Sequence, residues 1–157
     1  MTSTAFIASR QRVNDPDGIL ELLEITHASF SGPAHLVNDT RDWVSNGVTY
    51  TGYPFRFTYP QDKKGEAPRS TLEIDNVGRD LMAELENLPP NAVVMATVSL
   101  VSRSAPDTVE WSWTVPMVNV SCDSRLITAT LGVDYLMRQQ AVRLRHDPNT
   151  SPGIFQD

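Results

Sequence analysis

The side chains with the most potential for chemistry in this chain are one cysteine, three histidines and scattered carboxylates. Cys122 beside a histidine would supply the nucleophile and the base that covalent catalysis needs. Cys122 lies among alternating apolar residues, however, where a free thiol usually packs as a small hydrophobe. The pattern therefore favours a packed thiol, and we predict no catalytic residue and no enzyme activity.

Metal binding is the second chemistry that these residue types allow. His27 and His35 are eight positions apart with Asp39 and Asp42 nearby, and two histidines with a carboxylate can bind a divalent cation. Their spacing matches no zinc motif, and a single cysteine cannot build a cysteine-rich site. Glycine-rich phosphate-binding motifs are also absent from the sequence. We predict no metal and no cofactor, with the histidines solvated or packed.

Aromatic residues form two rows at strand spacing. Tyr53, Phe55, Phe57 and Tyr59 lie two apart and so share one strand face, as do Trp111 and Trp113. Such rows could stack sugars or single-stranded bases. Aromatic rows of this kind more often form a core or a subunit interface, because large rings dominate buried contacts. We favour the core or interface and keep a ligand- or carbohydrate-binding module as the alternative.

Composition excludes several classes of protein. The 157 residues include 13 Lys and Arg against 19 Asp and Glu, and the net charge of −6 argues against broad affinity for nucleic acid. The most apolar window, residues 91–101, is far shorter than the ~20 residues of a membrane helix. The first residues lack the basic and apolar regions of a secretory signal. A lone cysteine cannot form an internal disulfide.

The elements that must position these residues are mainly strands. Prolines and glycines punctuate short alternating segments, which predicts an α+β, mostly β fold: a barrel or sandwich with one packed helix over residues 76–88. Apolar residues three to four apart mark that helix, and Pro89 and Pro90 end it. A short N-terminal helix is predicted over residues 3–14, with Ser3 or Thr4 as its cap.

Several local patterns refine this interpretation. Asn46 and Gly47 predict a hairpin turn, because both residues tolerate positive φ. The first strand changes face at Leu22 and Leu23, which indicates either a bulge or burial on both sides. Residues 108–115 and 117–121 are predicted as separate strands. We assign residues 1–131 to one β-barrel domain and residues 132–157 to an irregular segment that packs on it or on neighbouring subunits.

The order of the motifs resembles a family of bacteriophage and prophage minor tail proteins, long catalogued as a domain of unknown function. The resemblance spans nearly the whole chain. The layout of the motifs is also similar to that of the N-terminal region of the phage lambda tail-tip protein. The motifs that carry it, in chain order, are Val37-Asn38-Asp39-Thr40-Arg41-Asp42, Asn46-Gly47-Val48-Thr49-Tyr50, Tyr53-Pro54-Phe55-Arg56-Phe57, Ala67-Pro68-Arg69, Leu72-Glu73-Ile74-Asp75-Asn76-Val77, Asp107-Thr108-Val109-Glu110, Val118-Asn119-Val120, Asp147-Pro148 and Ser151-Pro152-Gly153-Ile154-Phe155.

The resemblance implies a structural role in the distal tail of a long-tailed phage, at the tail tip or baseplate hub of the virion, after assembly in the host cytoplasm. The implied fold is related to the tail-tube barrel. The implied partners are copies of the chain in a trimeric or hexameric ring, the tail tube or distal tail protein, the hub protein and the tape-measure protein. DNA would only transit the lumen, and no membrane is involved. The iron–sulfur cluster of the lambda protein is not expected here, because Cys122 is the only cysteine.

The candidate subunit interface combines aromatic, apolar and basic residues. It comprises Tyr53, Phe55, Phe57, Lys63, Lys64, Trp111, Trp113, Arg138, Arg143, Arg145, Ile154 and Phe155. We further expect that the acidic excess, which lies within residues 1–131, partly lines the central channel, since like charge would limit adhesion of DNA phosphates.

Overall fold

The structure is a computed structural model that describes residues 2–12, 18–60, 68–75, 80–89, 92–123 and 125–132. Over these residues the chain is mostly β, which confirms the predicted class. The elements are α1 Thr4–Arg10, β1 Ile19–Thr26, β2 Ala34–Val37, β3 Trp43–Ser45, β4 Val48–Gly52, β5 Phe55–Phe57, β6 Ser70–Asp75, α2 Asp80–Glu86, β7 Val94–Ser102, β8 Ala105–Cys122 and β9 Leu126–Leu131.

The strands form one nine-stranded sheet in the order β3-β4-β2-β1-β7-β8-β9-β6-β5. All neighbours pair antiparallel except β2 and β4, which are parallel. The sheet curls enough for Phe57 of β5 to pack on Trp113 of β8, with ring centroids 6.3 Å apart. Over the described residues it does not close into a barrel, because no ladder among them joins the terminal strands β3 and β5. The prediction of a mostly β fold is therefore confirmed, but the sheet is open and curled where a closed barrel was predicted.

The apolar core lies on the inner face of the curl. Its fully buried residues come from β1, β6, β7 and β9 and include Leu23, Leu72, Ile74, Val98 and Ile127. β1 carries burial on both faces: Leu23 and Ile25 enter this core, while Leu20 and Leu22 enter a second cluster with Val37 and Val101. Its register with β7 runs without a shift from Ile19 to Thr26, so the change of face reflects two-sided burial and not a bulge.

Both predicted helices are present. In α1, Ser3 is the N-cap, and its side chain accepts a hydrogen bond from the Phe6 N–H, yet the helix buries none of its residues. In α2, Leu85 packs into the main core, and Glu84 accepts a 2.6 Å hydrogen bond from the Ser31 hydroxyl. Residues 76–79 of the predicted second helix lie outside the described residues. No described helix has both the length and the apolar character of a membrane span.

β8 is one strand of 18 residues, where the sequence predicted two. Pro116 falls inside it, opposite Met95 of β7. The Pro116 carbonyl accepts a hydrogen bond from Gly132 N–H on the opposite side, just where β9 ends. Proline is tolerated here because, among the described residues, its missing N–H faces the end of β9 and not the middle of a ladder.

Candidate functional site

The residues of the two aromatic rows mainly pack into or against the apolar core. Phe55 and Phe57 are only 6% and 7% exposed, and half-buried Tyr53, Trp111 and Trp113 pack against the same core. The strand β5 covers only the middle of the predicted row, and Tyr53 and Tyr59 flank it. Phe55 and Phe57 therefore belong to the core of the single chain, and their role at a subunit interface stays a prediction.

Tyr59 is the exposed end of this aromatic cluster. Its ring lies 5.0 Å from that of Phe57 and 6.2 Å from that of Trp111. Its hydroxyl donates a 2.6 Å hydrogen bond to Glu21 of β1, and the Asn38 side-chain amide donates to the other oxygen of the same carboxylate. Partial burial, followed by the hydrogen bond to Glu21, raises the pKa of Tyr59. This link from β5 back to β1 helps to hold the curl of the sheet.

Asp39 organises the loop between β2 and β3. Its carboxylate accepts hydrogen bonds from the Thr40 N–H and the Trp43 Nε1–H, both 2.7 Å long, and forms a 2.9 Å ion pair with Arg103. The Asp39 side chain is only 10% exposed. The Thr40 N–H, then the Trp43 N–H, and then Arg103 hold the pKa of this carboxyl below its ordinary value. Asp39 is thus a charged anchor that joins the loop to the turn after β7.

Trp43 lies between the two arginines of this region. The guanidinium carbons of Arg41 and Arg103 are 5.5 and 5.6 Å from the Trp43 ring centroid, within the range of cation–π attraction. On its apolar side, Trp43 packs with Tyr50 against the second cluster, which Leu20, Leu22, Val37 and Val101 form. The indole therefore couples the charged loop to buried apolar residues.

Gly52 allows β4 to pass close to the same loop. A Cβ atom at this position would lie 2.7 Å from the carbonyl carbon and 2.8 Å from the carbonyl oxygen of Arg41. The Gly52 N–H also donates a 2.8 Å hydrogen bond to Asp42. The backbones of the β2–β3 loop and of β4 are therefore in direct contact, and only glycine at position 52 permits this approach.

The β3–β4 hairpin is fastened to β8 at its tip. Asn46 and Gly47 have positive φ angles of 49° and 78°, as the predicted turn requires. The Asn46 N–H donates a 2.7 Å hydrogen bond to Asp107, and the Ser45 hydroxyl donates to the Pro106 carbonyl at 2.7 Å. Two separate sequence motifs, around Asn46 and around Asp107, therefore meet in one tether.

A sequence profile for the family described as Domain of unknown function (DUF1833) matches residues 8–146. The chain belongs to this family. No curated protein matches the sequence.

The family match covers the whole β3–β4 region and its anchors. Arg103, which pairs with Asp39, and Glu110, which binds Ser3, had no predicted role, because nothing in their sequence neighbourhood indicates a partner some 60 or 100 positions away. Glu110 is buried, and its two carboxylate oxygens accept hydrogen bonds from the N–H and the hydroxyl of Ser3, each 2.6 Å long. These two hydrogen bonds hold the pKa of the Glu110 carboxyl below its ordinary value. The bond from the Ser3 hydroxyl has the larger effect, and the bond from the Ser3 N–H has the smaller.

The two described histidines have packing partners of their own. His27 accepts a hydrogen bond from the Ser29 N–H and packs edge-on against Phe30. His35 packs edge-on against Tyr50, 3.7 Å from a Glu24 oxygen. Within the described ranges, no group of three or more histidine, cysteine, aspartate or glutamate side chains is placed to hold a metal ion.

Cys122 lines an apolar groove of about 590 Å³ between the end of β8 and the segment that joins α2 to β7. Leu88, Val93 and Val120 also line it, and Glu86 contributes a carboxylate. Partial burial, followed by the charge of Glu86, raises the pKa of the Cys122 thiol. A raised pKa keeps the sulfur protonated, which is the opposite of what a nucleophile needs.

The remaining candidate interface residues have two kinds of position. Tyr53, Trp111 and Trp113 are half-buried and keep part of their surface in the described structure. The others, namely Lys63, Lys64, Arg138, Arg143, Arg145, Ile154 and Phe155, lie outside the described residues, as does most of the predicted irregular segment 132–157. Their role at an interface stays a prediction.

Proposed function

We propose that this chain is a structural subunit of the distal tail of a long-tailed phage, at the tail tip or baseplate hub. Copies would form a trimeric or hexameric ring that joins the tail tube to the hub and surrounds the DNA channel. The order and spacing of its motifs, which resemble those of phage minor tail proteins along nearly the whole chain, support this proposal. Asp39, Asp42 and Asn46 of the 37–57 motifs make polar contacts that fasten the β3–β4 hairpin, as a structural role requires.

The observation that carries the proposal is the pair of open ends of the sheet. Among the described residues, β3 pairs only with β4 and β5 pairs only with β6. Unpaired edge strands present backbone donors and acceptors that another chain can satisfy. In a closed ring each subunit offers one surface to the neighbour before it and a different surface to the neighbour after it. A sheet with two different edges suits such head-to-tail contacts.

The edge at β3 is also rigidly positioned. The Asp39–Arg103 pair fixes the loop before it, and the Asn46 and Ser45 contacts fix its far end to β8. Val44, at the middle of this edge strand, is 54% exposed. An ordered edge with an exposed apolar side chain binds a neighbour at a lower entropic cost than a mobile loop would.

The carbohydrate-binding alternative depends on free aromatic faces. Phe55 and Phe57 are buried, and Trp111 and Trp113 pack against the core and lie beside each other, with ring centroids 6.5 Å apart. Tyr59 keeps 44% of its surface exposed, but its hydroxyl is bonded to Glu21. The rows therefore provide less stacking surface than their spacing in the sequence indicated, which favours the structural role.

Because the net charge of the chain is −6, we expect the channel of the proposed ring to be acidic. If the acidic excess faces the lumen, its negative potential limits the adhesion of DNA phosphates during transit. A structure of the assembled ring tests this directly, because a neutral or basic lumen would contradict it.

Native mass spectrometry of the full chain over a range of concentrations tests ring formation. We expect a closed trimer or hexamer, and Val44→Lys should shift it towards monomer by placing a charge on the edge strand. The matched control is Val109→Lys, at a valine that is 43% exposed but lies on an inner strand of the sheet. A chain that stays monomeric at every concentration, or equal dissociation by both variants, would contradict the proposed role.

A further inference from the structure

Arg41 is an exposed arginine whose side chain lies against an aromatic ring. Its guanidinium carbon is 5.5 Å from the centroid of the Trp43 ring. Among the described residues, no carboxylate oxygen lies within ion-pair distance of this guanidinium. A guanidinium that stacks on a ring keeps its planar fork of donors available for a carboxylate. Arg41 therefore presents a cation with available donors at the surface.

The ring beneath Arg41 is itself held in place. The Trp43 Nε1–H donates a 2.7 Å hydrogen bond to Asp39, and Asp39 forms the 2.9 Å ion pair with Arg103. Asp39 thereby balances the charge of Arg103, which leaves the charge of Arg41 for a partner. A side chain that is ordered before binding loses less conformational entropy on binding than a mobile one does.

Arg41 lies beside an exposed apolar side chain at the terminal strand of the sheet. It comes two residues before β3 begins, and Val44 at the middle of that strand is 54% exposed. Arginine and tryptophan are enriched in protein interfaces and among the residues that dominate binding energy. The β3 edge thus combines a positioned cation with an apolar contact.

The other end of the sheet has the opposite charge. β6 lies next to the terminal strand β5, and Leu72 and Ile74 face the core, so Glu73 and Asp75 lie on the outer face. Asp75 is directly opposite Leu126 of β9, which is 40% exposed, and opposite residues share a face of the sheet. This surface thus combines carboxylates with an apolar contact.

Asp75 is the more available of the two carboxylates. Glu73 lies 3.4 Å from the guanidinium of Arg56, whereas no arginine or lysine of the described ranges lies within ion-pair distance of Asp75. A carboxylate can accept two parallel hydrogen bonds from one guanidinium, which makes this pairing strong and directional.

We propose that Arg41 of one copy binds Asp75 of the next copy in the ring, with Val44 packed near Leu126. This inference rests on the proposed function and names the contact that joins neighbouring copies. The two surfaces lie at opposite ends of one sheet and match in charge and in apolar character. Head-to-tail assembly requires two such different and complementary surfaces on each copy.

Charge also selects against the alternative arrangement of two copies. A symmetric dimer through the β3 edges would bring two Arg41 guanidinium groups towards each other, and one through the β6 faces would do the same with Asp75. Like charges that meet across an interface disfavour the wrong pairing. The distribution of charge therefore favours a chain of contacts that closes into a ring.

Charge reversal in the full chain, followed by native mass spectrometry over a range of concentrations, tests this contact. Arg41→Glu and Asp75→Arg should each weaken self-association by about tenfold or more, because each sets like charges opposite each other. The chain that carries both substitutions should regain association, since the ion pair is rebuilt in the reverse direction. The matched control is Arg12→Glu, which makes the same change at an exposed arginine just after α1 and should leave association unchanged.

The outcomes separate this inference from the proposed function. If the unsubstituted chain assembles and Arg41→Glu associates as Arg12→Glu does, the contact is wrong while the ring stands. Loss in both single variants without recovery in the double variant would show that Arg41 and Asp75 do not meet, and would also overturn the contact. An unsubstituted chain that stays monomeric at every concentration would contradict the ring itself.

The salt dependence of association is the second measurement, and it uses a milder variant. Arg41→Met keeps an apolar stem on Trp43 but removes the charge. Sodium chloride should weaken the association of the unsubstituted chain more steeply than that of Arg41→Met, because salt screens an exposed ion pair. Equal salt dependence of the two chains would contradict a charged contact at Arg41.

Discussion

The inner core and the β3–β4 region are stabilised in different ways. The core consists of apolar residues from strands β1, β5, β6, β7, β8 and β9, and alternation alone is enough to build it. The β3–β4 region depends on single polar contacts: the Asp39–Arg103 ion pair, the Asp42 contact to Gly52 and the Asn46 contact to Asp107. Most residues of these contacts belong to the motifs that distinguish the sequence, whereas many sequences could supply the core. The comparison shows that the residues of the distinguishing motifs fix the position of the β3 edge of the sheet.

The largest effect should come from the core. Leu72 is fully buried, and Leu72→Ala should lower the free energy of unfolding by about 2–5 kcal/mol because it leaves a cavity. Urea unfolding followed by circular dichroism measures this loss. The matched control is Val44→Ala on edge strand β3, where 54% of the side chain is exposed and the change should be slight. A larger loss at Val44 than at Leu72 would reverse the comparison.

Gly52→Ala tests the close fit of the β3–β4 region. The new Cβ would meet the Arg41 carbonyl carbon at 2.7 Å, and the backbone shift that relieves this contact should cost about 1–3 kcal/mol in urea unfolding. Gly32→Ala is the control, because nothing lies within 4 Å of a Cβ there. If both variants unfold at the same urea concentration, the loop and β4 are not packed as described.

Asp39→Asn should lower stability in a manner that depends on pH. The pKa of Asp39 is lowered in the folded state, so its stabilisation is full above the unfolded pKa of ~3.9 and is lost as the pH falls through the folded pKa. The gap in urea midpoint between wild type and variant should therefore be largest near neutral pH and shrink in acid. Glu73→Gln, at an exposed pair with Arg56, is the control and should show little gap. A gap that is constant with pH would show that the Asp39 charge has no part in the anchor.

The smallest effect on global stability is expected for Glu110→Gln. This change weakens both hydrogen bonds to Ser3, yet α1 buries no residue, so the urea midpoint should hardly move. Hydrogen exchange at the α1 amides should become faster, and acid should have the same effect on the wild type because Glu110 has a lowered pKa. Unchanged exchange in α1 would mean that other contacts hold the helix.

Patterns with a local cause were predictable from the sequence, and long-range ones were not. The Asn46–Gly47 turn, the Ser3 cap and the helix α2 each follow from neighbouring residues, and the described structure contains all three. The continuity of β8 through Pro116 was missed, because whether proline is tolerated depends on where β9 ends. Arg103 was missed because it meets Asp39 only after β7 has crossed the sheet. The aromatic rows were predicted to form a core or an interface, and their spacing alone could not decide that Phe55 and Phe57 lie in the core.

The most direct test of the proposed role is immunogold electron microscopy of tailed particles, with an antibody raised against the full chain. The structural role predicts gold label at the end of the tail that lies away from the head, on intact purified particles. Purified tailed particles that carry no label, with the protein found only in the unassembled fraction, would contradict it.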